Sequence, residues 1–336
     1  MKSFGGLWLK ICSVENLHRA MLCAARGKRT RGPVVSFLGD SGNELDTLRQ
    51  ELLAGCYRPA PFIQFGVLDP KPRMISCASF RDRVVHHAVC DLIGPFLERS
   101  FIADSFPCRI GKGAHRAVSR AQDLTRRYPF FAKLDVRRYF DSIDHDILVG
   151  ILRPRFREKP LTELLETIIQ FPLPGQNPGK GIPIGNLTSQ WFANTYLNGV
   201  DHMAKEYLRV DGYIRYMDDM VLFDSSHQRL SDAVGLLIEW LLGNRKLEIK
   251  QERMIIAPVR DGLPFLGWRV FPGMLRLQST RYLRSRRLVR SREHVFQTGG
   301  ITGNQLAASV NAVLASIRYL RPEFRFDTLG KMLEDV

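Results

Sequence analysis

Apolar positions along this chain switch between two periods, and the switches mark its elements. Residues of strand character at Tyr213, Ile214 and Tyr216, and again at Met220, Val221, Leu222 and Phe223, flank the tetrapeptide Tyr216-Met217-Asp218-Asp219. This predicts a β-hairpin with two acids at or beside its turn. A second apolar strand, Phe130 to Asp135, ends on an acid and runs on to the aromatic pair Tyr139-Phe140. Elsewhere the period is helical. Leu45, Leu48 and Leu52 form a stripe that Gly55 terminates, Val84 to Leu97 carries a similar pattern, and Leu187 to Leu208 predicts a long helix packing Trp191, Phe192, Tyr196, Leu197 and Val200. Ile147, Leu148, Ile151 and Leu152 follow Asp144 and Asp146, so these acids, with Asp141, read better as helix-start residues than as ligands. Ala233 to Leu242 predicts a core helix ended by Gly243; it contains Glu239 and is far below membrane-spanning length. Leu306 to Leu320 is again helical, and Pro172, Pro174, Gly175, Pro178 and Gly179 mark an irregular loop. The chain is of mixed α and β content without internal repeats.

Charge narrows the partners. Lys and Arg number 49 against 34 acids, a formal net charge of +15 over 336 residues, which suits a polyanion. The excess is concentrated: Arg276, Arg281, Arg284, Arg286, Arg287, Arg290 and Arg292 follow one another with almost no acids, as for a surface that tracks a phosphate backbone. A solvated cationic helix is the alternative. Lys28-Arg29-Thr30-Arg31 is a smaller run, an RNA contact or a loop. The six cysteines, at 12, 23, 56, 77, 90 and 108, show no metal-ligand spacing and suit reduced thiols in a cytosolic protein. Lys10 interrupts the short apolar N-terminus, which argues against a signal peptide, so a cytoplasmic protein is expected.

Two adjacent carboxylates are costly unless a cation neutralises them, and oxygen-only ligation suits a hard ion such as Mg²⁺. Taken alone, Asp218 and Asp219 could equally be a solvated turn. With Asp135 ending a second strand, three carboxylates at one sheet edge could hold two Mg²⁺ ions roughly 3.5 to 4 Å apart, as nucleotidyl transfer requires.

These segments resemble the reverse transcriptases over most of the chain. Tyr-Met-Asp-Asp with Asp135 is similar to the polymerase palm. Pro70-Lys71-Pro72-Arg73-Met74-Ile75 and Arg81-Asp82-Arg83-Val84-Val85 look like the fingers motifs of group II intron and related bacterial enzymes, and Ser105-Phe106-Pro107-Cys108-Arg109 with Gly111-Lys112-Gly113-Ala114-His115 resembles the next one. Phe265-Leu266-Gly267-Trp268 resembles the primer grip. In Gly181-Ile182-Pro183-Ile184-Gly185-Asn186-Leu187-Thr188-Ser189-Gln190, Ile184 and Gln190 stand where group II intron enzymes usually have Gln and Pro, which is similar to diversity-generating retroelement enzymes. Those copy a template-repeat RNA into cDNA with frequent errors at adenines for retrohoming into a target gene.

The resemblance implies an α+β right-hand fold: N-terminal region and fingers over 1–125, palm with some fingers elements over 126–272, and helical thumb over 273–336. It implies metal binding by Asp135, Asp218, Asp219 and the Val136 carbonyl, and contact with the incoming dNTP by Lys71, Arg73, Phe140, Ile184, Gly185 and Gln190. Lys71 and Arg73 could also be plain surface cations, and Phe140 plain core. The thumb arginines Arg281, Arg284, Arg286, Arg287 and Arg290 are expected on the nucleic-acid backbone. His86, His87 and His115 have no catalytic constellation and read as structural. The implied partners are template RNA, cDNA, dNTPs and a small basic pentameric accessory protein; no membrane is implied. A group II intron-like or CRISPR-associated enzyme, or an idle RNA-binding or defence protein on this fold, are the alternatives.

Overall fold

In a computed structural model that describes residues 4–68 and 72–320, the chain opens with four helices, α1 (Trp8–Ile11), α2 (Val14–Ala25), α3 (Gly32–Gly39) and α4 (Ser41–Leu53). A hairpin of β1 (Ile63–Val67) and β2 (Arg73–Cys77) follows, then α5 (Phe80–Glu98), α6 (Ala114–Arg127) and β3 (Phe130–Asp135). Next come α7 (Tyr139–Ser142), α8 (His145–Leu152), α9 (Lys159–Gln170) and α10 (Leu187–His202). The hairpin β4 (Gly212–Tyr216) and β5 (Asp219–Asp224) leads to α11 (His227–Arg245), β6 (Ile255–Pro258), β7 (Leu263–Phe265), β8 (Trp268–Phe271) and β9 (Met274–Leu277). Helices α12 (Ser279–Gln297) and α13 (Gly303–Arg318) complete it. Side-chain caps set several helix starts: Ser79, Asp144 and Ser226 each accept an N–H from the first turn, and Thr302 and Gln305 form a capping box, each cap contributing about 1 kcal/mol.

The central sheet has the order β4-β5-β3-β6, with every neighbouring pair antiparallel. Alternation along the strands divides its residues between two cores. Ala132, Leu134, Tyr213, Met220 and Leu222 face the larger core with α5, α10 and α11, while Phe131, Ile214, Val221 and Phe223 face a second core with α6, the β7-β8-β9 sheet and Val289, Leu314 and Ile317. Packing on the first face is close: a Cβ on Gly94 of α5 would stand 2.8 Å from the Trp191 ring of α10. No helix among the described residues is long and apolar enough to cross a membrane.

Three boundaries differ from the sequence expectations. Gly243 lies inside α11, which runs to Arg245 before Lys246 turns left-handed at φ +51. Tertiary bonds explain this: Arg245 donates to the Tyr196 carbonyl and Lys246 reaches Asp144 at 2.7 Å, offsetting the roughly 1 kcal/mol that glycine costs inside a helix. The long helix from Leu187 is α-helical to His202 and widens to a π-helix over Met203–Tyr207, just after two residues tied by tertiary bonds, Asp201 to Arg215 and His202 to the Ser100 carbonyl. The last sheet continues past residue 272, because β9 pairs with β8, and the helical hairpin starts only at Ser279.

Candidate active site

Pairing of Tyr216 with Asp219 leaves Met217 and Asp218 as a two-residue turn between β4 and β5. Such turns need positive φ to match strand twist, and Met217 takes it at +54°, which costs a residue with a Cβ about 1 kcal/mol or more. On the other side of β5, Asp219 stands directly opposite Asp135, the last residue of β3. Lys133, Asp135 and Asp219 therefore share one face at one end of the sheet, with Asp218 in the adjoining turn. The backbone groups of Asp135 and Arg137 bond to residues 248–250, so by alternation the Val136 carbonyl turns the other way, to the side of the Met217-Asp218 turn.

The electrostatics of this cluster are strained. Burial, then the charges of Asp219 and Asp135, push the Asp218 carboxyl up to about 7. Lysines counter the other two acids: Lys250 lies 2.7 Å from Asp135, with Arg253 at 3.9 Å, and Lys133 lies 3.2 Å from Asp219. Among the described residues no three acidic, His or Cys groups close on one point as a ready cation cage, since Asp135 and Asp219 are turned to these lysines. The donor set nonetheless fits a hard divalent cation. It offers oxygen donors only, and the repulsion that lifts Asp218 is what such a charge relieves.

A cleft brings motifs distant in the sequence together. It is lined by Gln64, Arg73 and Met74 of the β1-β2 hairpin, Arg138 and Asp141 after β3, and the loop from Leu173 to Ile184. Phe140 is joined to that loop by its carbonyl, which accepts from Ile182 N–H at 2.9 Å; its ring is half-buried against Tyr139, and its neighbours Arg138 and Asp141 line the cleft. Gly185 has φ +112, and a Cβ on it would stand 3.0 Å from Ile75 of β2, so the loop and the hairpin approach closely only through glycine. Gln190 is half-buried in the first turn of α10. Lys71 lies outside the described residues.

The remaining candidates separate into exposed and buried groups. Leu266 and Gly267 form the β7-β8 turn, at φ +48 and +80, whereas the side chains of Phe265 and Trp268 are fully buried and serve the second core. Arg281 stacks 5.0 Å from the Trp268 ring centre and bonds to Ser316, while Arg284, Arg287 and Arg290 are exposed and Arg286 is half-buried along α12. Within the upstream motifs, Asp82 is a buried bracket for Tyr57, Ala60 and Ser79, and Arg109 clamps Glu98 and the carbonyls of Ile102 and Ser105. His86 is buried and pushed down to about 4 by desolvation, so it is neutral and structural.

Sequence reasoning missed Lys133, Lys250, Arg138 and Arg215. Lys133 was findable, since it is two residues from Asp135 and must share its face. Lys250 had no signal, because a backbone pairing between residues 135–137 and 248–250 delivers it.

The sequence pattern of the family described as "Reverse transcriptase (RNA-dependent DNA polymerase)" matches residues 69–270. Protein YkfC of Escherichia coli K12 is 27% identical over 271 residues, covering 68% of this chain and 71% of YkfC. Group II intron-encoded protein LtrA of Lactococcus lactis is 24% identical over 191 residues, which is 54% of this chain but 31% of LtrA. A solved structure of apo telomerase from Candida tropicalis is similar at a TM-score of 0.48 and 12% identity, covering 69% of this chain and 59% of that one. With a family pattern that spans both acid-bearing strands and more than half of its length, the chain belongs to the reverse transcriptase family of RNA-dependent DNA polymerases.

Proposed function

We propose that this chain copies a template RNA into cDNA, with Asp135, Asp218, Asp219 and the Val136 carbonyl holding two Mg²⁺ ions. The observation that carries this is the register that sets Asp135 opposite Asp219 with Asp218 in the adjoining turn. When bound, the ions supply activation of the primer hydroxyl and charge neutralisation at the leaving pyrophosphate. The chain's own residues orient the substrates. Arg73, with Lys71, neutralises the triphosphate of the dNTP; Ile184 in the cleft, with Phe140, Gly185 and Gln190, shapes the nucleotide's surroundings; the Leu266-Gly267 turn supports the primer end; and the exposed α12 arginines Arg284, Arg287 and Arg290 track the nucleic-acid backbone.

Within the family, Ile184 and Gln190 support an adenine-mutagenic diversity-generating retroelement enzyme, working in the cytoplasm with a small basic pentameric accessory protein. The likeness to LtrA favours a second reading, a group II intron-like enzyme. RNA-templated primer extension with Mg²⁺, followed by cDNA sequencing, tests both. Incorporation lost in Asp218→Asn with RNA binding retained is expected, and full synthesis by that variant overturns the metal site. Errors gathered at template adenines mark the first reading; a uniformly low error rate marks the second.

A further inference from the structure

Arg215 of β4 is fully buried on the sheet face opposite the lysine-countered acids, and its guanidinium joins three separate segments. Nε and Nη2 donate to the two oxygens of Asp201, at 2.6 and 2.7 Å, a bidentate pair with both side chains at 0% exposure. Asp201, next to last in α10, also accepts from the Tyr213 hydroxyl. The remaining Arg215 donors reach Asn194 Oδ1 in mid-α10, Ser105 Oγ in the segment before α6, and the Met217 carbonyl at 3.3 Å.

The last bond is the informative one. Met217 holds the left-handed conformation that a residue with a Cβ resists, and its carbonyl is gripped from beneath the turn that carries Asp218. Strand β4 does not need the side chain for its own place, because the Arg215 N–H donates to the Asp104 carbonyl and its carbonyl accepts from Phe106, both at 3.0 Å. Plain core packing is a poor account too, since an ion pair so deep contributes little net stability over apolar residues of similar volume.

We propose that Arg215, anchored by Asp201, is a positioning residue that holds the Met217-Asp218 turn in its metal-binding shape and ties it to α10, the helix that follows the Ile184-Gly185 loop. The inference rests on the proposed metal site. Two variants test it by Mn²⁺ binding in electron paramagnetic resonance, by the Mg²⁺ dependence of incorporation, and by thermal melting. Arg215→Lys keeps the charge but loses the fork, and the Arg215→Met/Asp201→Leu double variant removes both charges at once, so that one of the two is folded even if the other is not. Expected is a melting temperature within a few degrees of the parent, with the Mn²⁺ dissociation constant and the Mg²⁺ needed for half-maximal incorporation both raised about tenfold and the dNTP KM little changed. Parental metal affinity in a folded variant overturns the proposal, as does activity loss that only follows the melting temperature. Asp218→Asn separates the two failures: if it leaves Mn²⁺ binding intact, the metal-site reading fails and this proposal with it, whereas Mn²⁺ binding lost in Asp218→Asn but parental in the folded Arg215 variants overturns the role of Arg215 alone.

Discussion

Asp135 and Asp219 face each other across adjacent strands, yet each is paired with a lysine, Lys250 at 2.7 Å and Lys133 at 3.2 Å. The chain thus carries its own counter-cations for the charges a metal would neutralise, and a metal held there as proposed would compete with the lysines for the same oxygens.

Lys133→Met separates the two demands. Without the ammonium, Asp219 is uncompensated in the metal-free protein but more available to a cation. The Mg²⁺ concentration for half-maximal incorporation falls about threefold to tenfold, while the melting temperature in EDTA drops by a few degrees. A titration of incorporation against Mg²⁺, with melts in EDTA, checks both. A variant that needs more Mg²⁺ would show Lys133 to be an ally of the metal and not its competitor.

The raised Asp218 carboxyl gives a pH signature. Its folded value of about 7 lies above the ordinary 3.8, so the folded state holds the proton more tightly than the unfolded one. Stability from this group is fully present below about 3.8 and is lost as pH rises through about 7. The loss, discounted for partial exposure and for coupling to Asp135 and Asp219, is on the order of 2 kcal/mol. In EDTA, Asp218→Asn therefore melts higher than the parent by a few degrees at pH 8, and the two converge toward pH 4. Equal melting at pH 8 would mean that the turn carboxyl is well solvated.

Arginines that look alike in sequence separate by burial. Arg287 and Arg290 are exposed on α12, so replacing either with Ala weakens RNA binding across sequences and lowers the slope of log K against log salt by about one. Arg281 packs on Trp268 and bonds to Ser316, so Arg281→Ala shows chiefly as lost thermal stability. Filter binding across a salt series, paired with melts, distinguishes the two; a full unit of slope lost with Arg281 and none with Arg287 would reverse the assignment.

What the sequence makes legible here follows from range of interaction. The β4-β5 hairpin, the strand ending at Asp135 and the cap at Asp144 depend on neighbours within a few residues, and periodicity shows them. The bonds of Arg215 to Ser105, Asn194 and Asp201 span 14 to 110 positions, and a lone Arg before Tyr216 looks like any strand residue. Gly243 misleads for the same reason, because long-range bonds of Arg245 and Lys246 carry α11 past it. Phe265 and Trp268 show the converse: a motif can be recognised while its aromatic side chains turn out to be core.

On the proposed reading, Ile184 is the residue through which the cleft would bear on fidelity. The residue lines the cleft with Arg73, Met74 and Arg138, half-buried, next to a glycine whose missing side chain lets the loop approach Ile75. A side chain there with no donor or acceptor offers shape alone, whereas an amide could hydrogen-bond a correctly placed nucleotide. Selectivity is a difference between right and wrong transition states, so each contact of about 1.4 kcal/mol made only by the right pair is worth a factor of ten. Ile184→Gln is therefore expected to lower misincorporation opposite template adenine several-fold, and to lower correct incorporation less. Because Ile184 sits in a loop and not in the sheet, the parental melting temperature should persist, which separates a fidelity effect from a folding one. Single-nucleotide kinetics on matched RNA templates with A or G at one position provide the measurement. An unchanged error ratio opposite adenine removes Ile184 from the mechanism and moves the question to Arg73, which shares the cleft, and to Gln190 on the helix behind it.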